Sequence, residues 1–369
     1  MVVHGSQWMT EQRALAKLSP VPRDAPNVLL LVLDTVRAQS LSLYGYVRGT
    51  TPRLEQWAKT GVVFDRAVST APWTLPSHAS LFTGQFPHEL SADWFIPLDA
   101  TFPTLAEGFR AYAYVTAGFV ANIYPWCTYE YGLNRGFIHY EDYPISLGQV
   151  IANSSLFRTI TSNSQFRRIF GYHQLIPRKS AADINKDFLR WLSTIKSRPF
   201  FAFLNYFDAH DPYLPPTPFD TKFGPNRSWT YPQVFFRKIS PQETQAWVDA
   251  YDGSIAYLDY QVDLLLHELQ RRGVLENTLV IITSDHGEEF NEHGVFGHAN
   301  SVYWQGLHVP LLVLYPGHVP ADKRIHEPIS LRDIPATVVD LVKLKGTTRF
   351  PGTSLARFWH RPSSPSSLV

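Results

Sequence analysis

Carboxylate and imidazole side chains lie close together in the stretch SDHGEEFNEHGVFGHANS, residues 284–301. Asp285 and His286 are adjacent there, and His298 follows within the same stretch. A carboxylate beside an imidazole suits Zn²⁺ or Mn²⁺ better than Ca²⁺, which prefers oxygen ligands alone. Asp34, at the end of another apolar run, supplies a second carboxylate. We therefore predict a divalent-metal site formed by Asp34, Asp285 and His286, because burying both carboxylates without a cation would be costly.

A hydroxyl residue stands before a short predicted helix in the stretch APWTLPSHASLFTG, residues 71–84. Pro76 suits the first helical turn, where an N–H would lack an acceptor, and Gly84 suits a left-handed helix end. Thr74 then lies near the helix N-cap, where backbone N–H groups and the helix dipole attract anions. Read alone, the stretch predicts only a capped helix. Beside a divalent cation, however, the Thr74 hydroxyl would lose its proton more readily and act as a nucleophile.

Five apolar runs predict the strands that position these groups. Continuous apolar runs are typical of strands that are buried on both faces, as in a parallel sheet covered by helices. Polar residues follow four of the runs, at the carboxyl ends where ligands gather in such sheets: Asp34, Asn122, His210 and the pair Asp285 and His286. The runs are NVLLLVLDT, AYVTAGFVAN, RPFFAFLNYFDAHDPY, NTLVIITSDHG and HVPLLVLYPG.

Helical patterns lie between the apolar runs. They are TPRLEQWAKTG, SAADINKDFLRWLSTIKS, a long segment that ends in HELQRRG, and RDIPATVVDLVKL. Strands that alternate with helices predict an α/β fold with a mostly parallel central sheet and helices on both faces.

The composition is that of a globular protein and excludes several classes of function. The chain has 369 residues and a net charge of +1, so it carries no basic footprint for nucleic acid. Its single cysteine, Cys127, excludes an internal disulfide and a cysteine-based metal cluster. We find no secretory signal pattern and no apolar stretch of about 18 residues for a membrane span, and therefore expect a cytoplasmic location. The composition carries no signal for an oligomeric state.

Several segments together resemble the sulfatase-like branch of the alkaline phosphatase superfamily. They are PNVLLLVLDTVRAQSLSLYGY, TTPRLEQWAKTGVVFDRAVSTAPWTLPSHASLFTG, FDAHDPY, IITSDHGEEFNEHGVFGHANSVYWQGLHVPLLVLYPG and ISLRDIPATVVDLVKLKGTTRFPGTSL, in family order. The resemblance implies an alkaline-phosphatase-like fold in which Asp34, Thr74, Asp285 and His286 surround a divalent metal. Thr74 then holds the position of the nucleophile.

The resemblance also implies substrate-contacting residues. His210 and His298 match positions that touch the oxygens of the ester or bind a second metal in two-metal relatives, so we assign them catalytic roles too. His78 and Asn122 are further predicted substrate contacts. True sulfatases carry Cys-x-Pro-x-Arg, with the cysteine converted to formylglycine, whereas residues 74–78 here read Thr-Leu-Pro-Ser-His. The chain therefore has no formylglycine at this position.

The predicted organisation has an N-terminal extension at 1–25, a sulfatase-like catalytic domain at 26–356 and a tail at 357–369. A basic insertion at about 144–180 is expected to be a solvated loop over the sheet, with an anion- or partner-binding lid as the alternative.

The predicted activity is metal-dependent hydrolysis of sulfate or phosphate esters (monoesters, diesters or phosphonates) through Thr74. One or two ions are expected, with Zn²⁺ or Mn²⁺ favoured and Ca²⁺ the alternative. The substrate is expected to be a small-molecule, glycan or lipid-headgroup ester. Two alternatives are a phosphotransferase of the phosphoethanolamine type, whose nucleophile is also threonine, and a non-catalytic binding protein on the same scaffold.

Overall fold

The computed structural model describes residues 2–21, 25–122, 127–142, 178–195, 198–225, 239–344 and 349–359. Its α-helices are α1 (Val2–Ala16), α2 (Pro52–Ala58), α3 (Thr74–Thr83), α4 (Leu105–Ala111), α5 (Ala181–Thr194), α6 (Pro241–Arg271), α7 (Trp304–Leu307) and α8 (Ile334–Leu341). Its strands are β1 (Asn27–Leu33), β2 (Val62–Phe64), β3 (Ala67–Val68), β4 (Val115–Val120), β5 (His139–Glu141), β6 (Phe200–Tyr206), β7 (Thr278–Thr283), β8 (Glu289–Phe290), β9 (Phe296–Gly297), β10 (His308–Val309), β11 (Leu311–Leu314), β12 (Lys323–Ile325) and β13 (Ile329–Ser330). Each predicted helical segment contains a helix, namely α2, α5, α6 and α8.

An eight-stranded sheet forms the centre of the fold, in the order β12-β2-β11-β7-β1-β6-β4-β5. The pairs β1–β6, β1–β7, β4–β6 and β4–β5 are parallel, which confirms the predicted mostly parallel sheet. Strand β11, from the run HVPLLVLYPG, pairs antiparallel with both β7 and β2. The prediction that this run forms a parallel strand was wrong. All four of its residues are buried, and burial on both faces does not determine the direction of a strand.

Helices cover both faces of the sheet, as predicted. Alternate residues of β1 point to opposite faces and join different apolar clusters, with Leu31 in one and Leu30 in the other. Phe188 of α5 and Leu258 of α6 pack in the first cluster. The second contains Phe82 of α3, together with residues of α4 and α8. The carboxyl end of β1 therefore opens between two helical layers.

The chain near Thr74 folds differently in one detail from the prediction. Trp73 is the N-cap of α3 and has an extended backbone, so Thr74 is the first residue of the helix. The interpretation of Thr74 as a capping side chain was therefore wrong, since the cap position is already filled. Gly84 ends the helix with φ of 73°, the left-handed conformation that glycine adopts at little cost.

Most of the predicted basic insertion, residues 144–177, lies outside the described residues. Arg178 and Lys179, at its C-terminal end, are described and buried, so the expectation of a solvated surface was wrong for these two. Hydrogen bonds and ion pairs compensate both charges. Within the described ranges, every helix is too short or too polar to span a lipid bilayer.

Candidate active site

The ends of β1 and β7 bring three predicted metal ligands together. Asp34 directly follows β1, and Asp285 and His286 follow β7. One ligand atom from each of the three lies within 4.8 Å of the others, and all three side chains are fully buried. The two strands are parallel neighbours, so their carboxyl ends meet at one edge of the sheet.

The two oxygens of Asp34 have different surroundings. Oδ2 accepts hydrogen bonds from Nδ2 of Asn205 at 3.1 Å and from Nδ2 of Asn122 at 3.2 Å. Oδ1 is buried and accepts no hydrogen bond from the described residues. Asn122 therefore supports Asp34 from the end of β4. Asn205 was not predicted. Its signal in the sequence is that it is a polar residue inside the apolar run FFAFLNYF.

Asp285 shows the same division of roles between its oxygens. Oδ1 accepts from the backbone N–H of His286 at 2.9 Å and of Thr35 at 3.2 Å. Oδ2 accepts no hydrogen bond from the described residues and lies 3.3 Å from Nε2 of His286. Thr35 has φ of 63°, an uncommon value for a β-branched residue, and this turn directs its N–H toward Asp285. Each aspartate thus keeps one buried oxygen for another ligand.

His286 has the chemistry of a neutral metal ligand. Its Nδ1 lies 3.0 Å from the carbonyl oxygen of Gly287 and donates to it, so Nε2 carries the lone pair. Burial and the neighbouring His298 lower the pKa of His286 well below its usual value. Burial and the carboxylate of Asp34 raise the pKa of Asp285 well above its usual value. A divalent cation would remove the repulsion between the two carboxylates and fill the unused lone pairs, so the residues fit such an ion.

The hydroxyl of Thr74 points into this group. Its Oγ1 lies 3.4 Å from Nε2 of His286, and the side chain is almost fully buried. The hydroxyls of Ser69 and Ser77 both donate to the carbonyl of Asp285, which fixes the start of α3 against the end of β7. The structure therefore brings all four predicted members of the metal site to one place.

His78 lies behind Thr74 in the core. Its Nδ1 is 2.9 Å from the carbonyl oxygen of Thr74 and 3.5 Å from Oδ2 of Asp285, and its ring packs against Phe203. The side chain is completely buried, which lowers its pKa. This position favours support of Thr74 and Asp285 over the predicted contact with substrate.

His210 and His298 stand side by side next to the metal-site residues. Their rings are 4.9 Å apart, and the ring of His298 is 4.6 Å from that of His286. Nδ1 of His210 lies 2.7 Å from Oδ1 of Asp211, and Nδ1 of His298 lies 3.0 Å from Oε1 of Glu288. Each histidine is thus oriented by a carboxylate, which directs its chemistry to Nε2.

Glu288 also changes the charge of the site. Burial opposes the charged form of His298, but the carboxylate of Glu288 outweighs it and raises the pKa of His298 to about 9. Neither Glu288 nor Asp211 was predicted. Both are close in sequence to predicted histidines or ligands, in SDHGEEF and AHD, and this proximity was the available signal.

Known proteins share sequence with most of this chain. The protein-family model described as "Sulfatase" matches residues 26–344. An "Ulvan-active sulfatase" of Formosa agariphila is 26% identical over 356 residues, which cover 91% of this chain and 65% of that protein. The chain thus spans slightly less than two thirds of the length of this relative.

Solved structures with low sequence identity share the fold. A phosphonate monoester hydrolase of Agrobacterium radiobacter has a TM-score of 0.71 at 22% identity, over 92% of this chain and 78% of that one. The soluble domain of lipooligosaccharide phosphoethanolamine transferase A from Neisseria meningitidis has a TM-score of 0.65 at 18% identity, over 89% of this chain and 91% of that one. With the family match extending over most of its length, from β1 to the residues after α8, this chain belongs to the sulfatase family.

Proposed function

We propose that the chain is a divalent-metal-dependent hydrolase of phosphate or sulfate esters, with Thr74 as the nucleophile. The observation that carries the proposal is the position of the Thr74 hydroxyl, 3.4 Å from His286 and beside two aspartates that each keep an unused oxygen. A non-catalytic binding protein would have no need to direct a buried hydroxyl at such a group.

Asp34, Asp285, His286 and the Thr74 hydroxyl would hold the cation. It would stabilise the threonine alkoxide and offset negative charge on the ester oxygens. Two carboxylates and one imidazole favour Zn²⁺ or Mn²⁺ over Ca²⁺. In two-metal relatives the positions of His210 and His298 bind a second ion. The proposal includes that ion only if this chain also binds two.

The reaction then follows from the positions of the chain's own groups. The Thr74 hydroxyl loses its proton to solvent, Oγ1 attacks the phosphorus or sulfur, the bond to the leaving oxygen breaks, and a threonine ester forms. A protonated Nε2 of His210 or His298 donates its proton to the leaving alkoxide. The N-terminal N–H groups of α3 stabilise charge on the remaining oxygens. Water, deprotonated by the same histidine, then cleaves the threonine ester.

Thr74 favours phosphoryl over sulfuryl substrates. A formylglycine sulfate can eliminate its sulfate through a second hydroxyl on the same carbon, whereas a threonine ester has no such hydroxyl. The threonine ester must instead be attacked at its central atom, which is ordinary chemistry for phosphorus. We therefore infer that phosphate monoesters, diesters or phosphonates, from small molecules, glycans or lipid headgroups, are the better substrates.

The test is a panel of aryl sulfate, phosphate monoester, phosphodiester and phosphonate substrates, each assayed with Zn²⁺, Mn²⁺ and Ca²⁺. We expect metal-dependent turnover of at least one phosphorus ester and its loss in Thr74→Ala. Thr83→Ala is the matched control, because this hydroxyl at the other end of α3 bonds the carbonyl of Ala79. Full activity in Thr74→Ala would remove Thr74 as the nucleophile, and a protein without bound or activating metal would favour the binding-protein alternative.

Phosphoryl transfer to an alcohol is the second candidate function. It is favoured by the threonine at the nucleophile position and by the fold shared with the phosphoethanolamine transferase domain. In this case an acceptor hydroxyl, in place of water, takes the group from Thr74. Product analysis in the presence of added alcohols distinguishes the two, because a transferase forms the new ester in preference to free phosphate.

A further inference from the structure

The guanidinium of Arg178 is buried under the loop that carries His210. Arg178 lies three positions before the first residue of α5, and only 3% of the residue is exposed. A buried arginine is costly unless hydrogen bonds satisfy its donors. The acceptors that this arginine uses therefore indicate what it holds in place.

Arg178 binds the backbone of the His210 loop at three points. Nη2 donates to the carbonyl of His210 at 3.0 Å and to that of Phe207, and Nη1 donates to the carbonyl of Asp211 at 3.2 Å. The hydroxyl of Thr35 donates to the carbonyl of Ala209 at 2.9 Å. These bonds fix the turn on both sides of His210, and the fork of a guanidinium is suited to several acceptors at once.

Arg178 also supports the His210 side chain through an aromatic ring. The guanidinium carbon lies 4.7 Å from the ring centroid of Phe207, and the rings of Phe207 and His210 stack at 4.1 Å. Arginine, phenylalanine and histidine thus form one continuous stack. Asp211, whose backbone carbonyl Arg178 binds, contacts Nδ1 of His210 with its carboxylate.

We propose that Arg178 is a positioning residue for His210. It fixes both the backbone of His210 and the carboxylate that orients the ring, so that Nε2 is held toward the leaving oxygen of the ester. This inference rests on the proposed function, in which His210 donates a proton from Nε2 as the bond to the leaving group breaks. The proton and the leaving alkoxide then form the free alcohol, and His210 becomes neutral.

The dependence on the leaving group tests this role. A nitrophenolate leaves without a proton donor, whereas an alkoxide of high pKa needs one. Arg178→Ala and Arg178→Lys should therefore retain most activity on nitrophenyl esters. On alkyl esters we expect a loss on the order of 10²-fold in kcat, since a small misplacement of a reacting group has that effect. A merely structural role would lower both activities together.

Arg190→Ala is the matched control. This arginine lies on α5, is largely exposed and pairs with Asp187 at 3.5 Å, so its loss should leave both activities unchanged. Arg178→Lys keeps a cation but not the fork, and it provides a second variant if Arg178→Ala does not fold. Metal content, which depends on other residues, should stay at the wild-type level in all three variants.

A second readout needs no activity. Long-range ¹H–¹⁵N spectra of histidine-labelled protein, with its metal retained and at a pH where the ring has lost the Nε2 proton, should show His210 as the Nδ1–H tautomer, assigned by the signal lost in His210→Gln. We expect Arg178→Ala and Arg178→Lys to give mixed or exchange-broadened tautomers, and Arg190→Ala to match the wild type. Wild-type His210 signals in both Arg178 variants, or equal losses on the two ester types, would overturn the proposal. Absence of turnover in the wild type would instead reject the proposed function and leave this spectroscopic test intact.

Discussion

Oγ1 of Thr74 lies 3.4 Å from Nε2 of His286, although 212 positions separate the two residues in the chain. The first turn of α3 and the end of β7 make this contact, and the hydroxyls of Ser69 and Ser77 hold the two elements together at the carbonyl of Asp285. The hydroxyl is thus placed by the scaffold and not by a flexible loop. Such preorganisation is what a nucleophile requires.

Asp285→Asn is expected to abolish tight metal binding. The variant keeps an oxygen for the N–H groups of Thr35 and His286 but removes the charge that faces the cation. Loss of a residue that only orients a metal ligand commonly weakens metal binding about 10- to 100-fold. Loss of a charged ligand should weaken it at least as much. Metal analysis after dialysis against a chelator measures the change.

The same variant should change thermal stability in a diagnostic way. A cation that binds only the folded protein raises its melting temperature, so added Zn²⁺ or Mn²⁺ should stabilise the wild type and not Asp285→Asn. Without metal, Asp285→Asn should be the more stable of the two, because one of two adjacent buried carboxylates is gone. Asp263→Asn on α6, whose carboxylate contacts Trp57, Arg53 and His267, is the control. An equal response to metal in both variants would exclude Asp285 as a ligand.

Asn205→Ala should weaken metal binding although Asn205 is not a proposed ligand. Its Nδ2 donates to Oδ2 of Asp34 at 3.1 Å, and its Oδ1 accepts from the backbone of Asn122 at 3.1 Å. Without it, Asp34 can rotate and the end of β4 loses an anchor, so a loss of roughly 10- to 100-fold in affinity is expected. Titration with a metal-sensitive dye measures this. Asn277→Ala, whose amide bonds the carbonyl of Ala25, should bind metal like the wild type.

The sequence predicts those parts of the site that depend on strand ends. Asp34 and the pair Asp285 and His286 follow buried apolar runs, and parallel neighbours bring such ends together without further information. The apolar pattern could not predict the direction of β11, because a strand that is buried on both faces has the same pattern in either direction.

The supporting residues could not be predicted in the same way. Asn205, Arg178 and Glu288 act through hydrogen bonds to groups on other elements, and these depend on how the loops approach in three dimensions. The burial of His78 likewise follows from the position of α3, all of whose residues are buried in the fold. Residue type alone gave no means to separate these side chains from ordinary core or surface polar groups.

Glu288→Gln is expected to lower the pKa of His298. In the wild-type protein without metal, Glu288 holds this pKa at about 9, so His298 stays protonated through neutral pH. In the variant, burial remains while only Asp211 and Asp34 still favour the charged ring, so the pKa should fall from about 9 toward the ordinary value of about 6.5. Titration of the His298 ring by NMR in metal-free protein measures the shift. Glu276→Gln is an exposed control, and an unchanged pKa in Glu288→Gln would show that another group charges His298.

Glu11→Gln should remove a pH-dependent contribution to stability. Nδ1 of His139, on β5, lies 3.0 Å from Oε1 of Glu11 on α1, and Nε2 lies 3.5 Å from Oε2 of Glu141. Burial opposes the charged imidazole, but the two carboxylates outweigh it and raise the pKa of His139 to about 9. A raised pKa in the folded state stabilises the protein fully below about pH 6.5, and this contribution is lost as the pH rises through about 9.

The size of the effect follows from the shift in pKa, at roughly 2–3 kcal/mol of unfolding free energy for the wild type. Urea unfolding at pH 6.5 and at pH 10 should therefore show the wild type losing more stability with pH than Glu11→Gln. His267→Gln provides the comparison, since its ring is largely exposed and its pairing with Asp263 should contribute little. If the wild type and Glu11→Gln lose the same free energy between the two pH values, the pair of His139 and Glu11 does not hold α1 to the sheet edge. A smaller loss in Glu11→Gln, with His267→Gln unchanged, would assign the pH dependence to this contact.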